Sequence, residues 1–397
     1  MHPADLYRTP NALAPHYVRF GVDKRILMTG HSHQAWPDCG LVGQLEAWSD
    51  AAEHADEKWE RAFAKAARIQ AGFAQLLDDR DGVYTLAPST HDLLVRWLSA
   101  LDWRRRPRLV TTDGEFHSVR RQLDRLSEEG LEVVRVPHRP ADDVAERLAA
   151  AADDRTAAVI VSAVFFTNAH IVPGLRVAMQ ACERAGAALL VDVYHALNAV
   201  PFLLAEQGLG PAFVVGGGYK YCQLGEGNCF LRSPPGVSLR PIVTGWFAEF
   251  DALADSTGSS RLSYGQGGGR FAGSTYDPTS HYRAAKVFDF FEAQGLTPAL
   301  LREVSQHQVG RLAAAFDALD ADPQKIRRDR ATALAKMGGF LALEAPRAGE
   351  LCRELRRRGV LADYRGEVLR LGPAPYLTDE QLDTGIACLG DAVAALS

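Results

Sequence analysis

Two apolar runs in this chain end on residues that carry chemistry. The first, AALLVDVYHALNAVPF, puts Asp192 and His195 where the run gives out; the second, AFVVGGGYKY, ends on Tyr219, Lys220 and Tyr221. A lysine can hold an aldehyde cofactor as a Schiff base, while a carboxylate pairs with the cofactor's pyridinium nitrogen. Together they point to pyridoxal 5'-phosphate (PLP). Lysine is protonated at neutral pH, so Lys220 needs a site that lowers its pKa before it can act. Gly216, Gly217 and Gly218 just before it suit close approach of the backbone to a ligand. Taken singly, each residue also has a plainer explanation: a surface lysine, an N-cap aspartate, a satisfied core histidine.

Further candidates sit at comparable junctions. Ser89 and Thr90 follow YTLAP and open a helical run, where hydroxyls and free backbone N–H groups suit a phosphate or simply cap the helix. Phe116, in TTDGEFHSV, is placed to stack on a pyridine face or to join the core. Arg370, in VLRLGPAPYLT, can clamp a carboxylate through two parallel hydrogen bonds or pair with a neighbouring strand.

The elements that must position these residues alternate. Strand-like runs at Val83–Leu86, Arg108–Thr112, Glu132–Val136, Ala157–Val164, Ala188–Val193, Phe213–Val215 and Cys229–Leu231 are mostly separated by helical runs. The pattern predicts an α/β fold: a mostly parallel, seven-stranded-type sheet with helices on both faces. Ligands in such sheets bind beyond the carboxyl ends of the strands, where the candidates fall. A helical period from Leu41 to Leu77 takes Leu45, Trp48, Ala52 and Trp59 as apolar positions. After about Pro278, helical runs at Ser280–Gln294, Pro298–Leu319 and Ala348–Arg358 and short strands near 340–344, 359–363 and 368–371 predict a smaller α+β domain. The expected division is an N-terminal arm (1–40) packing on the small domain, a large domain (41–280) and the small domain (281–397).

Composition is ordinary for a globular chain: 397 residues, 47% hydrophobic and 23% charged, with net charge −5. The arginine runs 104–106 and 356–358 read as solvated faces, so no nucleic-acid partner is expected. No apolar stretch reaches the ~18 residues of a membrane span and no secretory signal is visible, which predicts a cytoplasmic protein. The six cysteines lack metal-ligand spacing and are expected to be reduced thiols; no metal is expected.

The chain resembles the fold type I PLP enzymes of the aminotransferase class V group, and kynureninases in particular, from about Gly30 to Tyr376. DVYHALNAVPF is similar to the family's Asp-Leu-Ala-His-Ala-x-x-x-Val-Pro, and Tyr219–Tyr221 to its Tyr-Lys-Tyr. TGWFAEF resembles Gly-Trp-Trp/Phe-Gly-His, and GVLADYRGEVLRLGPAPY resembles Asp-Trp-Arg followed by Arg-x-x-Pro-x-Pro-x-Tyr. Gly30–Ser32 is similar to Gly-Asn-Ser, Phe116–Ser118 to Phe-Pro-Ser/Thr, and PSTHDLL to the phosphate-binding turn. Three positions depart from the pattern: Glu249 replaces the histidine, Thr275 the asparagine of Phe-Arg-x-Ser-Asn-Pro, and Gly218 the serine before Tyr-Lys.

The resemblance implies a set of roles. Lys220 holds PLP and moves the α-proton, with Asp192 on the ring nitrogen and Tyr219 on the phosphate and the proton shuttle. Ser89, Thr90, Phe116, His195, Trp246 and Thr275 complete the cofactor site; Arg370, Ser32 and Thr275 bind substrate, Arg370 through its α-carboxylate. It implies an amino-acid substrate, Cβ–Cγ hydrolysis of kynurenine or a related compound in tryptophan catabolism, and a homodimer in which Trp246 and Thr275 reach the neighbour's cofactor. Two alternatives stay open: a divergent class V enzyme (aminotransferase, β-eliminating or C–S lyase), and a PLP-binding relative without catalysis.

Overall fold

The structure, a computed structural model, describes residues 1–252 and 262–396. The arm carries a short helix, α1 (Ala4–Tyr7), and strand β1 (Ile26–Leu27); helices α2 (Cys39–His54) and α3 (Lys58–Leu77) follow. The large unit then alternates β2 (Val83–Ala87), α4 (Thr90–Leu98), β3 (Arg108–Thr112), α5 (His117–Glu128), β4 (Glu132–Val136), α6 (Val144–Ala151), β5 (Thr156–Ser162), α7 (Leu175–Ala185), β6 (Ala188–Asp192), β7 (Phe213–Gly217) and β8 (Cys229–Ser233).

These strands form one seven-stranded sheet in the order β2-β8-β7-β6-β5-β3-β4. Only β8 opposes the common direction, pairing antiparallel with both β2 and β7. The expected mostly parallel sheet is therefore present, with each predicted strand in place. All seven residues of β5 are buried, as an interior strand covered on both faces requires. Edge strand β4 is only partly covered.

The expected single helical period over 41–77 resolves into two helices. Ala55 takes φ +48° at the break, with a short 3-10 turn over Ala55–Glu57. The predicted apolar face of α2 also points the other way: Leu45 is 61% exposed and Trp48 80%. The face α2 buries is its small one. A Cβ at Gly43 would strike the Tyr282 backbone, so glycine permits the close approach of α8 (Thr279–Ala293).

The C-terminal part adds α9 (Pro298–Ala318), β9 (Arg327–Arg328), β10 (Leu341–Glu344), α10 (Ala348–Arg357), β11 (Val360–Leu361), β12 (Asp363–Arg365), β13 (Val368–Leu371) and α11 (Asp379–Ala395). A four-stranded antiparallel sheet runs β12-β13-β10-β9. The strand expected across 359–363 splits at Ala362. Its first half pairs in parallel with β1 of the arm, Ile26 opposite Val360 and Leu27 opposite Leu361, while its continuation pairs with β13. Helix α11 opens on a full capping box from Thr378 and Gln381. No described helix is long and apolar enough to cross a membrane.

Candidate active site

A cavity of about 310 Å³ lies at the carboxyl ends of the central strands, lined in part by Lys220, Asp192, His195, Tyr219 and Phe116. Parallel β6 and β7 end side by side, Asp192 opposite Val215, so the turns after them deliver Asp192 and Lys220 to one place. The glycines before Lys220 make this packing possible: a Cβ at Gly217 would overlap Tyr194 and Cys229, and one at Gly218 would overlap Leu224.

Lys220 is 6% exposed. Its Nζ lies 2.8 Å from His195 Nε2 and over the rings of Tyr194 (4.5 Å to the centroid), Phe116 (5.4 Å) and Tyr219 (5.7 Å). Burial pushes its pKa down to about 7; Asp192 opposes this, and Arg370 adds to it. Burial, with the nearby Lys220, likewise keeps His195 neutral, well below the usual histidine range. In that state Nε2 accepts from the amine, and the proton on Nδ1 has no partner among the described residues.

Asp192 is half-buried and lines the cavity. Burial raises its pKa, while the Tyr194 N–H at 2.8 Å and the charge of Lys220 hold it down. Tyr219 is raised to about 12, again first by burial, and stacks on His33 with ring centroids 5.1 Å apart. Phe116 stands edge-on to Phe166 at the cavity wall.

Ser89 and Thr90 also line the cavity, where α4 begins. The Ser89 hydroxyl is engaged as the N-cap: it accepts from the Asp92 N–H (3.2 Å) and donates to the Asp92 carboxylate (2.9 Å). The plainer reading of Ser89 thus describes its present hydrogen bonds, and Thr90 begins the helix beside it.

Arg370 lies behind the wall, 2% exposed. Its Nε and Nη2 donate to Asp363 at 2.9 and 2.6 Å, and its Nη1 to the Phe166 carbonyl at 2.7 Å. It therefore makes the strand-to-strand ion pair that was its competing explanation, yet it is close enough to shift both Lys220 and His195. Ser32 is buried and donates to the Thr29 carbonyl at 3.2 Å, away from the cavity lining. Trp246 and Thr275 are exposed and do not line this cavity. Trp246 belongs to a surface aromatic cluster with Phe247 and Phe250.

Sequence reasoning passed over several residues here. Tyr194 lies between Asp192 and His195, and its ring is the one nearest to Lys220 Nζ. Ser162 ends β5 directly opposite Asp192, and Glu115 is buried behind it. His31, with Nε2 2.7 Å from Asp363, supports the Arg370 pair from the arm. Strand-end position was a usable signal for Ser162. Glu115 offered none, because its partners are fixed by strand order.

The donor set fits PLP. Lys220 presents an amine that is largely unprotonated above neutrality, and Asp192 keeps carboxylate capacity beyond its one backbone hydrogen bond. Aromatic faces flank the space between them. No group of three or more His, Cys, Asp or Glu side chains suited to a metal occurs among the described residues.

Comparison with known proteins gives the same answer at the level of fold. Residues 301–389 match the family described as Kynureninase C-terminal domain. An uncharacterized aminotransferase of Bacillus subtilis, YcbU, is 24% identical over 343 residues, 85% of this chain and 86% of that protein. Among solved structures, a mutant of C-DES with glycine covalently linked to its PLP cofactor superposes with TM-score 0.80 at 15% identity, covering 95% of this chain and 98% of that one. The cysteine desulfurase of Thermococcus onnurineus gives 0.78 at 16%, covering 98% and 99%. The chain shares the fold of these PLP enzymes. Beyond the fold, the C-terminal segment 301–389 is similar to that of kynureninases.

Proposed function

We propose that this protein binds PLP on Lys220 and acts on an α-amino acid, with hydrolytic cleavage of a Cβ–Cγ bond, as in kynurenine, as the reaction. The observation that carries the cofactor and amino-acid reading is the buried Lys220 amine beside His195 and Asp192, with Arg370 behind the same wall. The kynureninase-like C-terminal segment supports the choice of bond.

PLP, when bound, supplies an electron sink for charge that develops at the substrate's α-carbon. Asp192 would hold the ring-nitrogen end, Phe116 a ring face, His195 the O3′ or phosphate side, and Ser89 and Thr90 the phosphate at the start of α4, where free N–H groups favour an anion. Tyr219 would contribute its hydroxyl on the phosphate side. Lys220, freed from its resting role, takes the α-proton and returns it; a base with pKa near 7 is suited to both tasks at neutral pH. Arg370 fixes the carboxylate. Three of its five N–H donors are already engaged, which leaves two, the number a bidentate carboxylate needs. Ser32 and Thr275 belong to the substrate side of this proposal, Thr275 and Trp246 from the second subunit of a homodimer. The exposed aromatic cluster around Trp246 supports that placement.

A second reading has its own observations. The solved structures similar in fold include a cystine C–S lyase, and Glu249 and Thr275 depart from the kynureninase pattern at substrate-facing positions. Lyase or aminotransferase chemistry on another amino acid fits the same residues around the cofactor. A persulfide route through a nucleophilic thiol is less supported. Cys229, which lines the cavity, is pushed by burial up to about 12, and Cys352 is buried on α10, donating to the Ala362 carbonyl. A PLP-binding relative without catalysis would have no need of the buried arginine.

The deciding experiment mixes PLP-loaded protein with kynurenine, 3-hydroxykynurenine and a panel of amino acids, and follows both the visible spectrum and the products. Anthranilate release is expected with kynurenine, and none with Lys220→Ala. Release of pyruvate or a keto acid from another amino acid would establish the second reading. A cofactor band that no amino acid perturbs would overturn both.

A further inference from the structure

One buried carboxyl group near the cavity has no part in the reaction above. Glu115 follows β3, is 4% exposed, and is hydrogen-bonded on both oxygens. Oε1 accepts from Thr112 Oγ1 at 2.6 Å and from the Ser162 N–H at 3.2 Å, and Oε2 lies 2.6 Å from Ser162 Oγ. Ser162 lines the cavity and stands in register with Asp192 across the β5–β6 pair, so the two side chains share one face of the sheet.

We propose that Glu115 is a positioning residue: through Ser162 it decides whether a hydrogen-bond donor or only an acceptor faces the cofactor ring beside Asp192. This rests on the PLP reading above. A serine hydroxyl has one proton and two lone pairs, and an ionised carboxylate can only accept. With Glu115 ionised, the Ser162 proton is committed to Oε2 and the cavity meets lone pairs. With Glu115 protonated, Oε2 donates to Ser162 Oγ, and the Ser162 proton is free to turn into the cavity.

Both forms are accessible near neutrality. Burial raises Glu115 to about 7 against the hydrogen bonds of Ser162 and Thr112, and the charge of Asp192 pushes the same way as burial. The groups facing it are Thr112 from β3, Ser162 from β5 and Asp192 from β6. Asp113, two residues before it, is turned away to His138, and Lys220 is paired with His195 across the cavity.

The test compares cofactor-free wild type, Glu115→Gln and Ser162→Ala. PLP dissociation constants are measured by equilibrium dialysis from roughly pH 6 to roughly pH 8, a span that brackets an ionisation near neutrality. Titration of Lys220 is common to all three proteins and cancels in the ratio of wild type to variant. The ratio is expected to change by about three- to tenfold across that span for both variants, the effect of one hydrogen bond. A flat ratio for Glu115→Gln overturns the proposal. So does a ratio that moves for Glu115→Gln but stays flat for Ser162→Ala, since Glu115 would then act through space. Should Glu115→Gln not fold, the Ser162→Ala ratio decides alone. Wild type that binds no PLP at any pH would overturn the cofactor reading and this proposal with it, whereas PLP binding with flat ratios overturns this proposal only.

Discussion

Lys220 Nζ and His195 Nε2 are 2.8 Å apart, and both side chains are buried. A charged lysine there would be poorly solvated, so the neutral amine gains ground and donates a hydrogen bond to the neutral imidazole. The pair readies a nucleophile that itself carries no formal charge.

Capture of the cofactor should therefore depend on pH in a particular direction. The pKa of Lys220 lies below its ordinary value, so the reactive unprotonated fraction rises with pH and is half-formed at about 7. Stopped-flow mixing of cofactor-free protein with PLP should show a second-order rate that climbs through neutrality and levels off above it. A rate that keeps rising toward the ordinary lysine pKa of about 10.4 would mean that the amine is solvated.

Arg370 is expected to respond more strongly than its neighbour Asp363. Arg370→Lys forfeits the planar fork, and the glycine concentration for half-maximal change in the cofactor spectrum should rise by about 10- to 100-fold, the usual effect of losing hydrogen bonds to a charged group. Asp363→Asn keeps the cation but loosens its aim, and a rise of only several-fold is expected. His31 should tolerate mild acidity: burial holds it down at about 4, so its bond to Asp363 stays that of a neutral ring until well below pH 5.

If Trp246 serves the second subunit's site, sedimentation should show a dimer, and Trp246→Ala should weaken PLP binding roughly 10-fold without lowering the melting temperature of the cofactor-free protein. A monomer that binds PLP with undiminished affinity would remove Trp246 from the site.

Stability should depend sharply on an ion pair far from the chemistry. Arg232 and Asp79 are 2% and 6% exposed in their side chains, with Nε 2.7 Å from Oδ2. Tyr84 donates to Asp79, and the Gly210 and Ala212 carbonyls accept from Arg232. Asp79→Ala strands a buried cation, and a loss of about 3–5 kcal/mol is expected by urea unfolding. Replacing both partners with apolar residues should restore much of it.

Much of this architecture was legible in advance. Buried parallel strands such as β5 are continuous apolar runs, and Asp192 and Lys220 interrupt such runs where solvent-free backbone ends. Other features depended on partners distant in sequence. The outward apolar face of α2 reads as an inward one, because periodicity identifies a stripe but not what it meets, and Gly43 packs on Tyr282 more than two hundred residues away. The pairing of Arg370 with Asp363 depends on β12 and β13 lying side by side, and the burial of Glu115 on β3 lying next to β5. None of these leaves a local trace.

Strand β1 pairs with β11 of the C-terminal part, and Thr29 bridges Gly372 a few residues on. The segment that carries His31 and Ser32 is thereby fixed to the strands that carry Asp363 and Arg370. During synthesis, the segment with His31 must wait for a strand 332 residues further on before the His31–Asp363 contact and its support of Arg370 can form. Any displacement of those strands would carry His31, Ser32 and the arginine together as a single lever.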